Sequence, residues 1–337
     1  MAEGTQKKVL VSGIQATGKL HFGNYFGAMK QNIDLGNSGL YEAYIFIADY
    51  HALTTVKDGE ALRSNTQEIV AAYVACGLDL SKVILFKQSD VKAHTELSCI
   101  LSNVVTMPYL MRAHAFKDHE AKDKEVNVGL FNYPILMAAD ILIYNADVVP
   151  VGADQKQHIE YARDIAGFYN RAWNVEQFKL PKDHILESVG TIPGTDGEKM
   201  SKSKGNVISL FGTDEEVKKS IMGIVTDSAT PEEKKNPDTN NIYNIHKHFL
   251  NEEENILLRS KFEQTKEREG LKYGYKEAKE DLLVTVMKWR EGKVQVYNDL
   301  ISNPEKIRNT LNQGGVMARQ RAEETMEEVR GQVGLTS

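Results

Sequence analysis

Short apolar runs alternate with longer stretches of helical spacing through the first half of the chain. Lys8–Ser12, Tyr44–Ala48 and Val83–Lys87 are apolar and bounded by glycine or polar residues, the mark of buried strands. Between and after them, Tyr25–Asn37, Ala61–Cys76 and Lys92–Val105 place apolar residues three and four apart, as one face of a helix does. This alternation predicts an α/β fold, a Rossmann-like parallel sheet wrapped by helices, with a ligand site at the carboxyl ends of the strands.

The pattern changes after about Gly205. Thr213-Asp214-Glu215-Glu216 fits a capping box, and from there to Gly331 the chain is rich in Lys and Glu and helical in spacing. Breaks fall at Pro231, Asn236-Pro237 and Pro304, and polar Asp227–Asn241 reads as a loop. The expected organisation is a catalytic domain over 1–206 and a helical domain over 207–337, its last helix packing back on the first domain.

Composition narrows the class. A chain of 337 residues exceeds the usual single-core size, and its 41% hydrophobic and 26% charged content is that of a globular protein. No apolar run approaches the ~20 residues a membrane span needs, and the polar start, Met1 to Lys8, lacks a signal region, so a cytoplasmic location is expected. Cys76 and Cys99 belong to no CxxC pair and read as reduced structural thiols. The formal charge of −6 argues against a surface coated in basic residues, though a local stripe can still hold RNA.

The first strand runs into Gly13-Ile14-Gln15-Ala16-Thr17-Gly18-Lys19-Leu20-His21-Phe22-Gly23-Asn24-Tyr25, a glycine-bearing turn that opens a helix. A helix start reached this way offers free N–H groups to phosphate. Gly13 to Lys19 matches the GxxxxGK part of a P-loop, and Tyr44-Ile45-Phe46-Ile47-Ala48-Asp49 resembles the strand and acidic residue that assist its magnesium. Leu20 stands where a P-loop needs a hydroxyl, which weighs against that reading. The other reading takes His21-Phe22-Gly23-Asn24 as a variant of the HIGH motif of class I synthetases, with Gly23 letting adenine approach the backbone. Alone, the tetrad is equally an ordinary strand-to-helix turn.

Gly197-Glu198-Lys199-Met200-Ser201-Lys202-Ser203-Lys204-Gly205-Asn206 shifts the balance, because it contains the KMSKS loop of class I synthetases letter for letter. Displacing pyrophosphate from ATP builds negative charge on the leaving group, and mobile lysines with glycine hinges can close over it. Lys199 and Lys202 are the candidates for that stabilisation. A merely solvated basic loop is the alternative. No Ser/His/Asp arrangement and no Cys/His metal spacing stands out, as expected where the substrate's own carboxylate attacks the α-phosphorus and catalysis is positioning plus electrostatics.

Two further segments point to a branch. Asn132-Tyr133-Pro134-Ile135-Leu136-Met137-Ala138-Ala139-Asp140-Ile141-Leu142 and Val149-Pro150-Val151-Gly152-Ala153-Asp154-Gln155-Lys156-Gln157-His158-Ile159-Glu160 closely resemble the tryptophan branch, bacterial type, of the class I aminoacyl-tRNA synthetases. Indole is a large apolar plate with one N–H donor, so its pocket wants apolar walls and one acceptor. Asp140 among Met137, Ile141, Val149 and Val151 offers that combination, unless Asp140 merely pairs within a core helix.

The resemblance implies further roles. Tyr133 and Gln155 hold the amino acid's polar end, and His51 lines the pocket or is structural. Gln15, Ala16, Thr17, His21, Gly23 and Asn24 lie at the nucleotide, with Gly152, Ala153 and Asp154 at the ribose and Ile192 near adenine. Met200, Ser201 and Ser203 join the two lysines around ATP, and Lys117 is a third phosphate-directed lysine. The implied substrates are ATP, with Mg²⁺ carried by its phosphates, L-tryptophan and tRNA(Trp); the implied assembly is a homodimer whose helical domain reads the anticodon. Val11 and Ala115 depart from the Phe and Gln familiar in bacterial members. A P-loop NTPase leaves the Lys199–Ser203 loop unexplained, and a non-catalytic RNA-binding relative would have lost motif lysines or glycines that are all present here.

Overall fold

The computed structural model describes residues 7–121, 125–152, 156–185, 192–230, 233–263 and 273–336. Along the chain run β1 (Lys8–Gln15), α1 (Phe22–Asn24), a π-helical turn (Tyr25–Met29), α2 (Lys30–Asn37), β2 (Tyr41–Ala48), α3 (Asp49–Ala52), α4 (Gly59–Ala75) and β3 (Val83–Lys87). A 3-10 turn at Gln88–Asp90 leads to α5 (Ala93–Leu101), α6 (Met107–Leu110), α7 (His114–Ala121), α8 (Val128–Leu142), β4 (Val148–Val151), α9 (Lys156–Trp173) and β5 (Lys182–Ile185). Then come α10 (Asp214–Met222), α11 (Asn241–His246), α12 (Glu252–Glu263), α13 (Tyr275–Arg290), α14 (Lys293–Ile301) and α15 (Pro304–Gln332).

The chain forms two compact units, one of Met1–Gly18, Gln31–Glu187 and Leu300–Ser337, the other of Lys19–Lys30 and Ser188–Asp299. The first holds a parallel sheet in the order β3-β2-β1-β4-β5. The direction of strand succession reverses between β1 and β4, the place where such sheets bind ligands. Helices cover strands buried on both faces, so β1 and β2 read as nearly continuous apolar runs. Asp147 ties β1 to β4: its carboxylate accepts the Val9 N–H at 2.9 Å and its own N–H donates to the Val9 carbonyl at 2.9 Å. The core joins Tyr44, Phe86, Leu97, Ala139, Tyr144 and Ala162 to Ala318, Ala322 and Met326 of α15. Helix α15 lies on β3 so closely that a Cβ on Gly314 would come within 2.0 Å of the Leu85 carbonyl oxygen.

In the second unit Thr213 and Glu216 form the capping box that starts α10. Val217, Ile221, Ile242, Leu258, Phe262, Leu282 and Val286 are buried. A cluster of rings, Phe22, Tyr25 and Phe26 with Phe249 and Trp289, packs edge to face at centroid distances of 4.8 to 5.1 Å, the spacing aromatic quadrupoles favour.

Several expectations are corrected. The break between units falls at 188 where 206 was expected, and 300–337 belongs to the sheet unit, the one on which the last helix was expected to pack. Backbone pairing is the reason: the Val225 N–H donates to the Thr195 carbonyl at 2.7 Å, which ties the lysine loop to the second unit, and the Phe22 N–H to the Ile208 carbonyl and the Leu210 N–H to the Leu20 carbonyl, each at 3.1 Å, bring the turn after Gly18 into the same unit. The single helix expected over Tyr25–Asn37 is divided by a π-helical turn that brings Tyr25, Phe26 and Met29 all inward. Asp227–Asn241 is not wholly loop, since a 3-10 turn forms at Pro237–Thr239 and α11 starts at Asn241. Cys76 is buried, but Cys99 is exposed on α5, so only the first is a core thiol.

Candidate active site

His21 begins α1 in extended conformation, and the Asn24 side-chain oxygen Oδ1 accepts the His21 N–H at 3.1 Å. Asn24 thus spends its oxygen on the helix start and keeps its amide NH₂ as a donor end. Gly23 donates its N–H to the Met200 sulfur at 3.3 Å, and a Cβ there would lie 2.9 Å from His21 Nδ1 and 3.2 Å from Met200 Cβ. Only glycine admits this approach, which brings the two motifs, remote in sequence, into contact.

The lysine loop is built around the side chain of Asn206, which is buried. Its oxygen accepts the Ser201 N–H at 2.7 Å; its nitrogen donates to Asp196 at 2.7 Å and to the Lys199 carbonyl at 3.2 Å. Gly194 has no room for a Cβ, which would meet the Asn206 side chain at 2.4 Å. Met200 is buried, with its N–H on the Ile192 carbonyl at 3.2 Å, whereas Lys199, Lys202 and Ser203 face outward. Ser201 and Ser203 hydroxyls share a 2.9 Å hydrogen bond, and Lys204 pairs with Glu198. Gly197 and Gly205 take left-handed φ of 88° and 67°, where a side chain would strain the hinges. Asn206 escaped the sequence reading because its role lies in what it holds.

Burial pushes the His21 imidazole down to about 4, and the positive charge of Lys202 adds to the effect. His246 and His248 are likewise lowered to about 4, by burial first. These groups sit below their ordinary 6.5 when folded, so the unfolded chain binds protons first as pH falls. Their contribution to the helical unit's stability is whole above pH 6.5 and declines toward pH 4. Calorimetry is expected to show a falling midpoint over that window, and His248→Phe, beside Phe26, should remove part of the fall. A midpoint that stays level would contradict the assignment.

In the sheet unit Asp140 is buried on α8 with both carboxylate oxygens engaged. His51, on α3 just past β2, approaches Oδ2 at 2.8 Å. His94 Nδ1 approaches Oδ1 at 2.5 Å, and Gln88 donates one nitrogen to both oxygens at 2.8 and 2.9 Å. Burial pushes the Asp140 carboxyl up, but the hydrogen bonds of His51 and His94 reverse this and hold it at about 2. His51 therefore acts on Asp140, whichever else it lines. Gln88, His94 and Tyr144, whose hydroxyl lies 2.8 Å from His94 Nε2, were not foreseen; the one signal was that Gln88 follows an apolar strand at its carboxyl end.

Other candidates stand apart from this cluster. Tyr133 is half-buried, its hydroxyl 3.2 Å from His158 Nε2. Met137 is half-buried one turn before Asp140; Val149 is buried in β4, and Val151 and Gly152 are half-buried at its end. The Ala16 carbonyl accepts from Asn65 at 3.1 Å, the Thr17 N–H donates to Gln15 at 2.9 Å, and Lys117 is exposed on α7. Ala153, Asp154 and Gln155 lie outside the described residues, as does the side chain of Ala115. Leu20 is buried and supplies no hydroxyl, so the P-loop reading finds no ligand for magnesium there.

Comparison with known proteins identifies the family. The family described as tRNA synthetases class I (W and Y) matches residues 3–289. The tryptophan–tRNA ligase of Fusobacterium nucleatum is 47% identical over 325 residues, 96% of this chain and 97% of that protein. That of Campylobacter jejuni is 41% identical over 97% of this chain and 99% of its own. The crystal structure of Campylobacter jejuni tryptophanyl-tRNA synthetase complexed with ADP and tryptophan matches with a TM-score of 0.85, at 41% identity over 96% of this chain and 99% of that one. The Mycoplasma pneumoniae synthetase matches at 0.81 with 30% identity over 98% of both. With its paired nucleotide motifs in contact, its switch-point sheet and relatives matching nearly end to end, this chain belongs to the class I tRNA synthetases of the tryptophan and tyrosine family.

Proposed function

We infer that the chain is a tryptophan–tRNA ligase: it activates L-tryptophan with ATP to tryptophanyl-adenylate and pyrophosphate, then transfers tryptophan to the terminal ribose of tRNA(Trp). The observation that carries it is the seating of Met200 on Gly23, which brings the lysine loop onto the HIGH-like turn. In the first step a tryptophan carboxylate oxygen attacks the α-phosphorus and the bond to the pyrophosphate oxygen breaks. Lys199, Lys202 and Lys117 meet the charge developing on the leaving group, and the Asn24 amide donates to phosphate. In the second step a ribose hydroxyl attacks the adenylate's carbonyl carbon and AMP leaves.

Asp140 takes the indole N–H between Met137, Val149 and Val151, with Tyr133 and Gln155 at the amino acid's polar end. Gln15, Ala16, Thr17, Gly152, Ala153, Asp154 and Ile192 hold the nucleoside, and Mg²⁺ arrives on the ATP phosphates. The enzyme works in the cytoplasm as a homodimer, its helical unit reading the anticodon.

The test is exchange of labelled pyrophosphate into ATP with each amino acid in turn and no tRNA. Exchange with tryptophan alone is expected. Exchange with tyrosine instead would move the chain to the sister branch, and ATP hydrolysis without exchange would restore the P-loop reading.

A further inference from the structure

Asp140 is the end of a buried relay. Its two oxygens offer about four lone-pair directions. His94 and His51 take one each, and the single Gln88 nitrogen, nearly equidistant from both oxygens, takes a third. One acceptor direction remains. The Gln88 side chain is itself held, since its oxygen accepts the Tyr50 N–H at 3.1 Å. Behind His94 stands Tyr144, whose ring is fully buried and stacks on Tyr44 at 4.6 Å. Burial pushes the Tyr144 phenol well up, so it stays protonated. A hydroxyl that donates to His94 Nε2 leaves the imidazole proton on Nδ1, facing Asp140.

Resting on the tryptophan reading above, we propose that His94, its tautomer set by Tyr144, is a positioning residue that keeps Asp140 turned and ionised so that its last acceptor direction demands an N–H from the substrate. The apolar pocket alone cannot make this demand, because a ring of the same shape without the donor fills it equally well. Loss of a hydrogen bond to a buried charge costs roughly 10- to 100-fold in selectivity, and removing the group that aims the acceptor forfeits most of it.

The experiment compares L-tryptophan with β-(3-benzothienyl)-L-alanine, which replaces the indole N–H by sulfur, in pyrophosphate exchange by the full-length enzyme. His94→Gln is expected to cut the preference for tryptophan about tenfold or more, through a raised KM for tryptophan, with little change for the sulfur analogue. Tyr144→Phe keeps the buried ring and removes only the hydroxyl; the preference should fall about threefold. Equal losses for both substrates, or an unchanged preference in both variants, overturn the proposal and leave His94 a packing residue. A wild-type enzyme that discriminates against the analogue while both variants match it refutes the relay alone. A wild-type enzyme that ignores tryptophan refutes the functional reading, and the relay with it.

Discussion

Lys202→Ala is expected to slow tryptophan-dependent pyrophosphate exchange by about a thousandfold while tryptophan affinity stays within about twofold. Lys202 faces outward from a loop whose shape comes from Asn206, Asp196 and Met200, and the bonds that Asn206 makes to Ser201, Asp196 and Lys199 do not use the Lys202 side chain. The missing charge would act only as pyrophosphate departs, and an interaction confined to the transition state appears in the rate and not in ground-state binding. Steady-state exchange gives kcat and KM, and quenching of intrinsic fluorescence gives tryptophan binding separately. Equal loss of rate and binding would refute the assignment of Lys202 to the leaving group and make the loop a ground-state clamp. Lys202→Arg should recover only part of the rate, since the planar guanidinium presents its charge differently from an ammonium.

Gly314→Ala should destabilise the sheet unit by about 3 kcal/mol or more, a drop of roughly 6–12 °C in thermal midpoint. The added methyl carbon would overlap the Leu85 carbonyl oxygen at 2.0 Å, and that carbonyl belongs to the backbone of edge strand β3, hydrogen-bonded to β2, so neither partner can yield by a rotamer change. Relief requires α15 to lift from β3. Gly331→Ala on the same helix is the control: its Cβ would meet nothing nearer than 3.8 Å, and alanine favours helix by about 1 kcal/mol. Melting curves of both variants followed by circular dichroism decide the matter, and equal midpoints would mean that α15 is not seated on the strand.

What was legible in the sequence was local. Strand β3 and the capping box at Thr213 read correctly because a few adjacent residues carry their whole physical cause. The lysine loop was legible for the same reason. Strands β4 and β5 passed unnoticed: Val148–Val151 contains Pro150, which cannot donate to a ladder, and three of the four residues of Lys182–Ile185 are polar. The break between units lies earlier than expected because it depends on pairing of Thr195 with Val225 and of residues 20–22 with 208–210, which no periodicity encodes. The partners of Asp140 come from three separate elements; His51 was a candidate through the resemblance, but nothing local marked Gln88 or His94 as more than core residues, because their convergence on one carboxylate is tertiary.

The sheet unit is written in three pieces of chain, with α15 arriving last. During synthesis the strands leave the ribosome long before the helix that shields β3, and the whole of Ser188–Asp299 is made in the interval. The helical unit can therefore complete itself first, while the nascent sheet waits with Leu85 and its neighbours uncovered. A chain cut short after Asp299 would keep its strands but lack the helix that covers β3, a sheet left unfinished until the final segment is delivered.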